Sequence, residues 1–390
     1  MDKQLKKGAK ILARLEAEGF QAYFVGGAVR DHILKRPIKD IDITTDAQPA
    51  QVEALFEKTF RTGAAFGTLT VVTDDLACEV TTFRREAQYD NHRHPSQLTF
   101  SKDIKEDLSR RDFTINQLIM DKTGHIYDYY NGKKALAQQR IETIGEAQAR
   151  FEEDALRMMR AFRFQAQLNF SLEENTFQAI VQKKALLKKI AIERIQEELF
   201  KMLDAPYSHT AVQSMRQSNV LKTLDLDEAF KHIEPLKKPY TAKEAFAIFY
   251  LHDHLKVENF RLSKRWLKQF EQVKHLHPQT KQSAFEPKQL YDYTKSSCLF
   301  VNRINVLLGY DDQSAHIKTI DKNLTLRKQS DLALNGNDIL KHLKPKDKKH
   351  IRLILEALIN DVLYHQIANQ KPVLLKQAKA IYQTIKESEK

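Results

Sequence analysis

The chain has 390 residues, 42% of them hydrophobic, with 63 Lys and Arg against 51 Asp and Glu, a net charge of +12. That hydrophobic share excludes wholesale disorder, and the length allows roughly two to four domains. Two cysteines, Cys78 and Cys298, cannot build a disulfide framework and lack CxxC spacing for zinc, while apolar runs broken by charge exclude a membrane span.

The first twenty residues form an amphipathic, acid-containing helix rather than a signal peptide. Nine of the eleven glycines lie at or before Gly145, and none falls between Glu146 and Leu308. Glycine marks tight turns and is avoided by helices, so the first 145 residues are predicted to be α/β and most of the rest helical. Within that first part, Ala22 to Val25 reads as a strand meeting the Gly26-Gly27 turn, and Ala28 to Leu34 as a helix. Asp40 to Thr45 alternates polar and apolar, a half-buried strand. Val52 to Phe60 reads as a helix, and Leu69 to Thr73 with Ala77 to Phe83 as a hairpin. Arg84 to Asp107 is polar and irregular, a long loop of the kind usually given to function. Asn116 to Asp121 and His125 to Tyr130 flank a turn, a further hairpin. No proline occurs between Ser96 and Ala205, so Phe151 to Phe164 and Leu172 to Ala205 are predicted as uninterrupted helices. Prolines 206, 235, 239, 278 and 287 then punctuate shorter ones, and the C-terminal third is strongly basic, with KHLKPKDKKH at 341–350.

The chemistry starts at Asp40 and Asp42. Residues i and i+2 of a strand share a face, so the two carboxylates would project together while Ile41 and Ile43 anchor the opposite face. Adjacent like charges repel unless a cation sits between them, and magnesium suits hard oxygen ligands and phosphate. Two such ions would activate an attacking hydroxyl and stabilise a leaving pyrophosphate. A bare pair of this kind also occurs on solvated faces; the turn before it shifts the balance. Gly26-Gly27 would let the backbone approach a phosphate at a helix start, and Arg30 could add a bidentate contact. The turn matches neither the Walker pattern nor GxGxxG. Glu79, on the strand from Ala77 to Phe83, could complete a metal site. Arg110, Arg111 and Asp112 could bind a triphosphate and a sugar hydroxyl.

Asp154, Arg157, Arg160 and Arg163 follow i+3 spacing, each step about 60° short of a full turn. Asp154 and Arg157 remain neighbours, a fixed acceptor and donor set able to meet a nucleobase edge. Arg160 and Arg163 would meet phosphates or RNA. The basic excess favours a polyanionic partner such as nucleic acid.

Taken together, VGGAVRD at 25–31, KDIDITT at 39–45, RRDFTIN at 110–116, EDALRMMRAFRF at 153–164 and AIERIQEELFKML at 191–203 resemble the class II tRNA nucleotidyltransferases (CCA-adding enzymes) of the polymerase-β-like superfamily, closest to the compact Gram-positive bacterial type. The resemblance covers about the first half of the chain. It implies an α+β fold: a nucleotidyltransferase α/β head with a small mixed sheet at 1–145, then an all-α neck at 146–205, body at 206–280 and basic, tRNA-binding tail at 281–390. It implies that Asp40 and Asp42 hold two Mg2+ ions, joined by Glu79 in the reading above. It also implies that Gly27 and Arg30 contact CTP or ATP, and that Arg111 with Asp112 meets triphosphate and ribose. Asp154 and Arg157 would serve as a protein template for cytosine or adenine, with Arg160 and Arg163 completing the pocket. The implied activity is templateless addition of C, C and A to the tRNA 3′ end, in the cytoplasm, with Arg84 to Asp107 as the loop that helps switch from CTP to ATP. Lys264, Arg265, Lys346 and Lys348 are candidates for the RNA track, whose phosphate contacts would make binding salt-dependent. A homodimer is compatible with the resemblance.

Three rivals differ in sequence terms. A bacterial poly(A) polymerase would carry an RRF-type stretch where this chain has FRTGAAFGTLTVV at 60–72. Another rival adds only CC, or only A; family members of the CC-only type lack a loop element, whereas this loop is intact in length and charged, with Arg85, Asp90 and Arg93, which favours full CCA addition. A non-catalytic RNA-binding protein on the same scaffold would be expected to have lost a metal carboxylate, and both are present. His252-Asp253 lacks the further ligands of a metal-dependent phosphohydrolase, so no such second activity is expected.

Overall fold

The computed structural model describes residues 2–63, 66–73, 76–90, 94–254, 260–345 and 347–388, with 86–90 and 94–98 described by backbone alone. The chain divides into two compact units. The first holds residues 1–235, 239–245 and 254–261, and the second 236–238, 246–253 and 262–390.

Helix α1 (Lys3–Ala17) starts at Asp2, whose side chain accepts from the Gln4 amide at 2.8 Å. It buries Leu5, Ile11, Leu12 and Leu15 at helical spacing. Strand β1 (Ala22–Val25), helix α2 (Gly27–Ile33), strand β2 (Asp42–Thr45) and helix α3 (Pro49–Leu55) follow. Next come β3 (Thr59–Gly63), β4 (Thr68–Thr73) and β5 (Leu76–Thr82). The predicted helix over Val52 to Phe60 therefore ends early, because Thr59 and Phe60 pair with β4.

The sheet has seven strands in the order β3-β4-β5-β2-β1-β8-β9, where β8 is Ile119–Met120 and β9 is Ile126–Tyr127. Its one parallel pairing, β2 with β5, sets Asp42 opposite Glu79 and Thr44 opposite Thr81. Both hairpins predicted within this sheet are present.

The predicted loop at 84–107 is a correction. Strands β6 (Arg84–Asp90) and β7 (His94–Phe100) form a separate antiparallel pair, followed by α4 (Ile104–Ser109). Apolar alternation is confined to two residues in each strand, Ala87 with Tyr89 and Leu98 with Phe100, too short a run to mark a half-buried strand.

Both long helices predicted beyond Gly145 are also broken. After α5 (Gly132–Ala137) and β10 (Arg140–Ile141), helix α6 (Ala147–Glu153) stops at Asp154, whose backbone is extended (φ −139°, ψ 100°). Helix α7 (Leu156–Leu168) begins beyond it, and Asp154 Oδ1 accepts from the Leu156 amide at 3.1 Å. An aspartate offers its backbone neighbours a bond that competes with the helical one, and it favours helix starts. The second stretch opens as strand β11 (Ser171–Leu172), paired in parallel with β10. It continues as α8 (Glu174–Lys183), a 3₁₀ segment at Lys184–Lys189, and α9 (Ile192–Leu203).

The second unit is helical among its described residues. It includes the helices Lys264–Thr280, Pro287–Leu307, Lys348–Leu363 and Lys371–Ser388. Pro278 sits inside the first of these and Pro287 opens the second. Leu326, Ile339, Ile354, Leu358, Val362 and Leu374 share a core at its C-terminal end.

Candidate active site

A cleft of about 1080 Å³ in the first unit is lined by Asp40 and Asp42, the Gly26-Gly27 turn, the Arg110–Asp112 segment and the arginine face of α7. The two carboxylates share this cleft although the ladder begins only at Asp42. Asp40 and Asp42 flank Ile41 and alternate with it and Ile43, both buried on the other face. Burial pushes the Asp42 carboxyl up to about 6. Arg111 opposes the shift, and the nearby Glu79 and Asp40 charges add to it. A carboxylate that is costly to ionise, with the Asp40 carboxylate in the same cleft, suits a hard divalent cation. Glu79 faces Asp42 across the strands but is exposed and outside the cleft lining. Among the described residues no three His, Cys, Asp or Glu side chains converge as metal ligands.

Gly26 adopts φ 72°, ψ −132°, a conformation that only glycine tolerates well. A β-carbon built there would stand 3.6 Å from Arg111 Nη1 and 3.7 Å from Asp42 Oδ2. Gly27 opens a helix of only seven residues, so little axial dipole accumulates. Arg30 is 7% exposed and already engaged. It donates to Asn116 Oδ1 at 2.8 Å and to Asp31 at 2.9 Å, and its guanidinium lies 5.4 Å from the Phe164 ring centre.

Asp112 is the hub of the next layer. Its carboxylate accepts from Arg160 Nε at 2.8 Å, Asn116 Nδ2 at 3.0 Å and its neighbour's amide at 2.8 Å. Burial alone would raise its pKa, but Arg160 and these bonds outweigh it and hold the carboxyl well below the usual carboxylate range. Glu198 on α9, 5% exposed, accepts from Arg163 at 3.0 Å and stands 3.9 Å from Arg160. Burial, with Arg160 alongside, lowers the Arg163 guanidinium to about 10 against the pull of Glu198. Arg160 and Arg163 both lie against the Phe164 ring, at 5.5 and 4.4 Å.

Asp154 and Arg157 line the same cleft. Asp154 stands at the break between helices, with Oδ2 3.7 Å from Arg194 of α9. Arg157 donates to the Arg150 carbonyl at 3.0 Å, the Arg110 carbonyl at 2.8 Å and Glu153 at 2.9 Å.

The Poly A polymerase head domain matches residues 22–142, the "Probable RNA and SrmB- binding site of polymerase A" matches 169–229, and the putative tRNA nucleotidyltransferase domain 2 matches 245–378. A CCA-adding enzyme of Staphylococcus haemolyticus is 38% identical over 395 residues, covering 95% of this chain and 96% of that protein. One from Anoxybacillus flavithermus is 37% identical over 392 residues, covering 96% of each. The chain belongs to the CCA-adding enzyme family. The crystal structure of the Bacillus stearothermophilus CCA-adding enzyme in complex with CTP superposes with a TM-score of 0.90 at 30% identity, over 100% of both chains.

Other sequence candidates of this CCA-adding enzyme family member belong to the second unit. Lys264 and Arg265 sit exposed at the start of the helix Lys264–Thr280, and Lys348 opens Lys348–Leu363. Lys346 and Arg93 lie outside the described residues, and Asp90 is described by backbone alone. Asp253 of the His252-Asp253 pair is bonded to Lys274.

Residues given no role from sequence also line the site. Phe66 is 42% exposed at the cleft wall, and Arg194 and Lys201 line the cleft from α9. Arg194 and Glu198 are four apart in AIERIQEELFKML, a same-face ion-pairing spacing that could have drawn attention to them. Asp112→Ala is expected to cost about 2–3 kcal/mol in urea unfolding, because Arg160 loses its nearest carboxylate. The Asp112 pKa is depressed on folding, so the deficit should narrow as pH falls through the carboxylate range. A loss that is independent of pH would contradict this pairing.

Proposed function

We propose that this chain adds C, C and A to the 3′ end of tRNA from CTP and ATP, without a nucleic-acid template, releasing pyrophosphate. The observation that carries the reading is one cleft that joins paired carboxylates, a cation-lined wall and the acceptor–donor pair Asp154 and Arg157. Superfamily members use divalent metal ions. The donor set here fits Mg2+, held by Asp40 and Asp42, in a two-ion arrangement. When bound, the metal supplies positive charge that polarises the triphosphate and favours an ionised primer hydroxyl.

The chain's own residues then divide the remaining work. Arg111 presents positive charge beside Asp42, where the triphosphate would lie. Asp154 and Arg157 offer a fixed edge to cytosine or adenine. Asp112, enclosed by Arg160 and Asn116, fixes the arginine wall rather than standing free for a ribose. The primer 3′ oxygen forms its bond to the α-phosphorus as the bond to pyrophosphate breaks. The exposed Lys264, Arg265 and Lys348 are candidates to follow the tRNA backbone. Among the described residues no helix is long and apolar enough to cross a membrane. Addition to tRNA is chemistry suited to the cytoplasm.

Incubation with tRNA lacking its 3′ end, Mg2+ and CTP, ATP or both tests the reading by product length. Three added nucleotides are expected with both substrates and two with CTP alone. A long A tract, addition that stops at CC with both present, or no extension would each overturn it.

A further inference from the structure

We infer that Asp107 is a positioning residue for nucleotidyl transfer: it holds Arg111 against the strand of Asp42 and ties both to the root of the β6–β7 hairpin. This rests on the assignment of Arg111 and Asp42 to the triphosphate and metal site.

Asp107 is fully buried on α4 and spends its two oxygens on four residues. Oδ2 accepts from Arg111 Nη2 at 3.2 Å and from Thr44 Oγ1 at 3.2 Å. Thr44 is two residues beyond Asp42 on β2, on the same face. Oδ1 accepts from Arg110 Nε at 3.0 Å and from the amide of Arg84, the first residue of β6, at 3.4 Å. Arg84 in turn donates to the carbonyl of Phe66 on the cleft wall. Burial would raise the Asp107 pKa, but Arg111 and Arg110 outweigh it, so the carboxylate is charged where it must pair. Arg111 has few other means of holding its place, since its Nε is buried without a partner among the described residues. Its Nη1 borders the same small space over Gly26 as Asp42 Oδ2. A single anion thus sets the distance between the guanidinium and the metal-site strand.

The whole 390-residue chain carrying Asp107→Asn is compared with wild type in steady-state addition to tRNA, with pyrophosphate as inhibitor. The KM for CTP and ATP and the inhibition constant for pyrophosphate should rise together, on the order of tenfold, with the KM for tRNA unchanged. A purely structural defect would reduce the active fraction, and so the rate, without moving these constants. Arg111→Gln should raise the same constants, and the double variant should be no worse than Arg111→Gln alone. Thr44→Val, a milder change to the same carboxylate's partners, should raise them about two- to fivefold and supplies the test should Asp107→Asn not fold. Unchanged constants in the folded variant, or effects that multiply with Arg111→Gln, would overturn the inference. Failure of the underlying assignment would look different: Arg111→Gln itself would then leave these constants unmoved, or wild-type protein would not extend tRNA at all.

Discussion

Asp42→Asn is expected to lower kcat for both C and A addition by about 10³-fold or more, with tRNA affinity within about twofold of wild type. The asparagine keeps the volume and one oxygen but removes the charge that a hard cation requires. The tRNA-binding candidates Lys264, Arg265 and Lys348 lie on other elements, so affinity should persist. A second consequence runs the other way. Because folding raises the Asp42 pKa to about 6, its contribution to stability is present below the unfolded value and is withdrawn as pH rises through about 6. The variant escapes that penalty. Metal-free Asp42→Asn should therefore melt a few degrees above metal-free wild type at about pH 8, and the two should converge below about pH 4. In wild type, the Mg2+ concentration for half-maximal rate should increase as pH is lowered through about 6. Near-wild-type turnover in the variant would remove the metal role. A lower melting temperature would show that Asp42 is a structural anion instead.

Asp154→Ala and Arg157→Ala should both relax the choice among CTP, ATP, UTP and GTP, yet differ sharply in stability. Asp154 stands partly exposed at a helix break, and its loss removes a cap worth about 1 kcal/mol. Arg157 is 6% exposed and serves the Arg150 and Arg110 carbonyls as well as Glu153. Truncating it strands those acceptors, at an expected cost of about 3–5 kcal/mol. Competition assays with the four nucleotides, paired with urea unfolding, separate the two effects. Unchanged selection by folded Asp154→Ala would end its role in reading the base. Equal stability losses would contradict the bonding seen around Arg157.

The carboxylate pair was legible because Asp40, Ile41, Asp42 and Ile43 alternate with the period of a strand, and buried isoleucines declare which face is which. The transition from glycine-rich α/β to helix was equally plain. The break at Asp154 was not, since helical periodicity continues on both sides and only a local side-chain bond interrupts it. The β6–β7 hairpin escaped notice because its apolar alternation is only two residues long in each strand, amid charged and polar neighbours. Partners distant in sequence were also out of reach. Arg160 finds Asp112, and Arg163 finds Glu198, only after α7 packs against the Arg110–Asn116 segment and α9. Arg30 and Asp112 read from sequence as ligand contacts; in the fold their polar atoms are largely occupied by neighbours, which fixes the wall on which the nucleotide would lie.

Anomalous scattering from a crystal soaked with Mn2+ and a non-hydrolysable CTP analogue tests the metal site most directly. The expected result is density for the ion against the Asp40 and Asp42 carboxylates, with the triphosphate between it and Arg111. Manganese bound elsewhere, or a triphosphate seated away from both aspartates, would contradict it.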